Sequence, residues 1–176
     1  MKKYVIILSI FIYFPCFSQE NSPNSEGEIY SIVLTNVIGK DDTYNGQLKP
    51  KLIYISKEIA PGNNNTKAKY ITEDAKAFVS EFAKNNNLKV RWVKNSKSIQ
   101  YFRGNGEIVG GGVLVNFNEI KYISEMEAEI DASIYVASEA AGGTHYFLTK
   151  KSEHWKLLSS NPTWISYLFK VSKLFT

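Results

Sequence analysis

The sequence predicts an α+β fold, with N-terminal helices packed on a curved, mainly antiparallel sheet. Three observations predict it. Apolar residues recur at helical spacing early in the chain, at Ile29, Ile32, Val33, Val37 and Ile38, and again at Ala75, Phe78, Val79, Phe82 and Ala83. A strict two-residue alternation dominates later: Met126, Ala128, Ile130, Ala132, Ile134 and Val136 on one side, Glu127, Glu129, Asp131, Ser133 and Tyr135 on the other. Helical patterning stops before the run of strands begins, rather than alternating with it, which is the order of an α+β domain.

Each element follows from local chemistry. Ser25-Glu26-Gly27-Glu28 fits a capping box, with Ser25 as cap and Glu28 reaching back, and Gly39 stands at a helix end, so a helix is expected over 26–38. Residues 51–59 alternate as a strand, and Pro61-Gly62 with Asn63-Asn64-Asn65 reads as a loop. Thr72 caps a second helix, whose first turn carries Glu73 and Asp74 where the dipole favours anions; Asn85-Asn86-Asn87 ends it. Strands are expected over 88–94, 99–103, 113–118 and 126–136. Ala141-Gly142-Gly143 is expected as a hairpin connection to a return strand over 144–151. Ser152-Glu153 is a turn into a strand over 154–160, and Trp164-Ile165-Ser166 closes the region.

The first residues pair Lys2-Lys3 with an apolar run over 4–14, then Pro15, Cys16, Phe17 and Ser18. This is the three-part pattern of a secretory signal, with cleavage expected after Ser18 and a periplasmic or secreted destination. The run is short of the roughly 20 residues of a membrane span, and Tyr13-Phe14-Pro15 does not match the residues that precede a lipidated cysteine. The expected organisation is a signal peptide over 1–18, a flexible start over 19–27, one α+β domain over 28–166 and a C-terminal tail over 167–176. Loss of Lys2 and Lys3 takes the 21 basic residues to 19 against 17 acidic ones, a formal charge of +2 in place of +4. That balance argues against a nucleic-acid partner. Cys16 is the sole cysteine, so cleavage also removes every disulfide and thiolate reading.

The segment 128–166 carries Ile134-Tyr135-Val136, Gly142-Gly143, Tyr146-Phe147-Leu148-x-Lys150 and Trp155-Lys156-Leu157. In these it resembles exported bacterial proteins of unknown function, and it is similar to the terminal strands of nuclear-transport-factor-like cone folds. The resemblance implies helices laid across a bent sheet. It implies no functional residue, because such folds host enzymes and non-enzymes alike.

No catalytic residue, metal ligand set or cofactor is expected. His145 and His154 are the only histidines, at a spacing that fits no metal motif, and no Gly-x-Ser-x-Gly elbow is present. Gly104-Asn105-Gly106 and Gly110-Gly111-Gly112 lack the Gly-Lys-Ser/Thr ending of a phosphate loop. Glu127, Glu129 and Asp131 share a strand face but stand about 7 Å apart in succession, too far for joint chelation. Their expected partners are lysines on neighbouring strands, such as Lys150 or Lys156. Aromatics on a bent sheet are more often core than pocket. The pocket reading takes Trp92, Tyr135, His145, Tyr146 and Trp155 as ligand-binding residues, with His145 preferred because Tyr146 and Phe147 flank it. The partner is then a small apolar ligand or another envelope protein. Contact of 164–176 with a membrane surface is the weaker alternative to packing on its own domain. The leading function is a non-catalytic binding module of the cell envelope, and the alternative is a small cone-fold hydrolase or isomerase with a pocket near His145.

Overall fold

The computed structural model describes residues 23–39, 50, 52–59, 68–95, 108, 110–137 and 140–167. The expected leader over 1–18, the strand over 99–103, the turn at 104–106 and the tail after Tyr167 lie outside these residues. Helix α1 (Pro23–Gly39) is followed by β1 (Ile53–Ser56), β2 (Glu58–Ile59), β3 (Lys69–Tyr70), α2 (Glu73–Asn85), β4 (Val90–Val93), β5 (Val113–Phe117), β6 (Lys121–Ser124), β7 (Glu127–Ala137), β8 (Ala140–Lys151) and β9 (His154–Tyr167). This is an α+β arrangement, with the main sheet in the order β4-β1-β5-β7-β8-β9 and β6 added beside β7.

The sheet is mixed. β1 runs parallel to both β4 and β5, while β5 through β9 pair antiparallel. The parallel part has a physical cause: α2 lies between β1 and β4 in the chain, and a helical crossover returns the backbone in the same direction. β1 is accordingly buried on both faces, unlike the half-exposed β7.

α1 begins at Pro23, so residues 23–27, expected as part of a flexible start, are helical. Proline is well suited to a first helical turn because it has no N–H to leave unsatisfied. The capping box is not formed. Ser25 lies inside the helix, buried, and its Oγ accepts the indole N–H of Trp155 at 2.7 Å. Thr72 does cap α2, accepting from the Ala75 N–H at 3.2 Å. In the first turn of α2, Lys76 hydrogen-bonds Glu73 and holds its carboxyl below the ordinary carboxylate value.

Two further expectations are corrected. Ala141-Gly142-Gly143 is not the connection but lies inside β8, paired with β7 on one side and β9 on the other. Met126 sits in the turn before β7 and is exposed. β6 has no counterpart in the sequence reading; four residues with one core-facing side chain, Tyr122, are too short to show a period.

Both helices pack on the same sheet face. Their core joins Ile29, Tyr30, Val33 and Leu34 of α1 to Val115 and Phe117 of β5, Ile130 of β7 and Leu148 of β8. Small residues on β7, Ala128 and Ala132, leave room for the larger rings above them. The Phe117 ring, opposite Ala132, meets Tyr30 at 4.9 Å.

Burial, reinforced by Glu26, pushes the Tyr30 phenol far above the ordinary tyrosine value, and burial raises Tyr122 as well. The folded protein therefore keeps a proton that the unfolded chain releases near pH 10. Stability is expected to be full below about pH 10 and to fall as the pH rises beyond it. Urea midpoints between about pH 8 and pH 11.5 read this out. Tyr30→Phe should flatten the decline, and an unchanged slope would assign it to other groups.

Candidate functional site

The sheet face away from the helices is built by the alternation in β7. It carries Glu127, Glu129, Asp131, Ser133 and Tyr135, while the alternate residues enter the core. The antiparallel register then sets Phe147 opposite Glu129, His145 opposite Asp131 and Gly143 opposite Ser133. β9 extends the row with Ser159, Asn161 and Trp164 opposite Phe147, His145 and Gly143. Cross-strand partners share a face, so these side chains form one surface.

His145 is its centre. Nδ1 stands 2.7 Å from Asp131 Oδ1, and Nε2 stands 3.5 Å from Glu129 Oε2. Glu129 also accepts from Lys121 Nζ at 3.1 Å. The Phe147 ring meets the imidazole edge-on, with centroids 4.5 Å apart. The acidic row thus pairs with Lys121 and His145 and not with Lys150, which turns to Glu153. A general base needs a ring nitrogen facing the proton it takes. Here both nitrogens face carboxylates, and neither carboxylate is a nucleophile to be activated. Among the described residues no group of three or more His, Cys, Asp or Glu is arranged to hold a metal ion.

Further along this face Tyr135 and Trp164 lie 6.2 Å apart. Gly143 makes the Trp164 position available: a Cβ there would fall 2.1 Å from the indole Nε1. The indole lies against bare backbone and stays 42% exposed. Beyond it Tyr54, Ile108 and Leu114 form a small buried cluster, with the Arg91 guanidinium 6.0 Å from the Tyr54 ring centre.

The five sequence-derived binding residues divide between the two faces. Tyr135 and His145 stand on the open face. Trp92, Tyr146 and Trp155 stand on the helix-covered face. Trp92 packs at the core margin and donates its indole N–H to Ser80 of α2 at 2.9 Å; Tyr146 and Trp155 are buried. His145 and Tyr146 are strand neighbours and must point oppositely, so they cannot share a pocket. Sequence reasoning missed Asp131 and Glu129 as the partners of His145, and Trp164 as the ring beside Tyr135. The signal was present in the alternation. Continuing β8 back through Gly142-Gly143 to Ala140, instead of turning there, brings Asp131 opposite His145.

No helix among the described residues is long and apolar enough to cross a membrane. No family model, no curated protein and no solved structure matches this chain.

Proposed function

We propose that this chain is a non-catalytic binding module of the cell envelope, exported under its N-terminal leader, and that its open sheet face receives another envelope protein. One observation carries the reading. The helices cover a single sheet face and fill it with core, while strands β7, β8 and β9 present half-exposed or exposed aromatic, carboxylate and amide groups on the other. Register shifts between Tyr135 and Ala137 and along β8–β9 support a bent sheet, since bulges increase strand twist. Rigid strands displaying Tyr135, Trp164 and Phe147 beside charged groups have the composition of a recognition surface.

A second reading, a small cone-fold hydrolase or isomerase around His145, draws on the 2.7 Å contact to Asp131, which orients an imidazole as a general base needs. The Nε2–Glu129 contact weighs against it, because it occupies the nitrogen that a substrate would use.

Photo-crosslinking residues introduced at Asn161 on the open face and at Lys84 on α2 distinguish the faces. The expected result is a defined crosslinked protein from Asn161 and none from Lys84. Equal labelling from both positions, or none from either, would overturn the binding reading. Turnover by the parent chain that His145→Gln abolishes would establish the enzymatic one.

A further inference from the structure

A pocket of about 300 Å³ opens on the helix side of the sheet, between the start of α1 and the β8–β9 turn. Trp155 forms its buried wall, and the indole is held in place by the hydrogen bond to Ser25. Phe78 of α2 supplies a second aromatic wall. Lys150 stands opposite Trp155 in the register and so shares its face. Glu28 enters from α1, one turn beyond Ser25.

The charged groups fall into two classes. Glu28 and Lys150 are sheltered, with side chains 23% and 24% exposed. Each meets one well-exposed partner: His154 Nδ1 at 3.1 Å from Glu28 Oε1, and Glu153 Oε2 at 3.5 Å from Lys150 Nζ. Glu28 meets His154 through one carboxylate oxygen and Lys150 meets Glu153 through one N–H, and among the described residues the second oxygen and the other two N–H groups face no further charged partner.

The turn at the pocket rim sets the partner of Lys150. Ser152 and Glu153 both have left-handed backbone, with φ of 49° and 70°. Asn-Gly makes such a two-residue hairpin turn with little strain, and Ser-Glu does not. An Asn-Gly turn would close the hairpin equally well but would delete the Glu153 carboxylate at Lys150.

We propose that this pocket binds a small zwitterion of amino-acid size, with its ammonium on Glu28, its carboxylate on Lys150 and its apolar part between Phe78 and Trp155. The volume lies at the small end of ligand pockets, about 300–1,000 Å³. The site is on the opposite sheet face from the surface around His145 and stands or falls separately from it.

Calorimetric titration of the full chain with L-leucine and L-phenylalanine tests the assignment, with the N-acetyl and methyl ester forms of each as single-charge controls. Saturable binding of a free amino acid is expected, with each capped form weaker by about tenfold or more. Glu28→Gln and Lys150→Met should each weaken binding by about tenfold, with thermal melts confirming that they fold. Ser152→Asn with Glu153→Gly should raise the melting midpoint by about 2–4 °C and tighten binding, because it removes the carboxylate that competes with the ligand's for Lys150; this keeps the test open if a single variant folds poorly. No saturable heat up to about 10 mM, equal binding of free and capped forms, or folded variants that bind like the parent would each overturn the proposal.

Discussion

Phe117→Ala is expected to lower the unfolding free energy by about 3–5 kcal/mol, the range for truncating a buried phenylalanine. The ring is fully buried at the end of β5, over Ala132 of β7 and against Tyr30 of α1. Truncation removes the transfer energy of the ring and leaves a cavity. Sheet hydrogen bonds hold β5 and β7 in register below it, and α1 is held above it by Ile29, Val33 and Leu34. Neither layer can collapse into the void without giving up other contacts. A domain of this size should lose roughly 6–20 °C in melting midpoint, while Phe117→Leu should lose much less. A loss below about 1 kcal/mol would mean that α1 re-seats on the sheet.

Gly27→Val should cost about 2–3 kcal/mol, although helix propensity alone would favour replacing a glycine inside a helix. Two magnitudes compete. The backbone-entropy gain is under about 1 kcal/mol. Against it, a Cβ at Gly27 would lie 2.6 Å from the Cβ of Phe78 and 2.8 Å from its Cγ. The nearest atom sits next to the α2 backbone, so a rotamer change cannot relieve the contact and the helices must part. Gly39→Ala is the control: it is helical, nothing lies within 4 Å of its Cβ position, and the substitution should be neutral or stabilising. Chemical denaturation should show Gly27→Val destabilised and Gly39→Ala not. Stabilisation by both would place the Gly27 effect in helix propensity rather than in packing.

Much of the fold was legible because the chain states it locally. The alternation from Ala128 to Val136 identified the buried and open sides of β7, and Thr72 with Glu73 and Asp74 marked the start of α2. The errors occurred where a residue serves a distant partner. Ser25 followed by Glu28 has the spacing of a cap, yet Ser25 is bound to Trp155, 130 residues away in sequence. Gly142-Gly143 has the composition of a turn, yet Gly143 is small because Trp164 lies on it. Turn and capping propensities are local terms of about 1 kcal/mol, and a buried ring that needs space or a hydrogen-bond partner outweighs them.

The same division applies to the candidate sites. Residue types, the face of each β7 side chain and the expectation of export came from the sequence alone, because strand period and leader chemistry are written within a few consecutive residues. The pairing of His145 with Asp131 and Glu129, the separation of Tyr146 from His145 and the meeting of Glu28 with the β8–β9 turn were decided only by the tertiary structure. Register and helix docking bring together residues that no local pattern connects, and a shift of one residue in register would exchange the two faces.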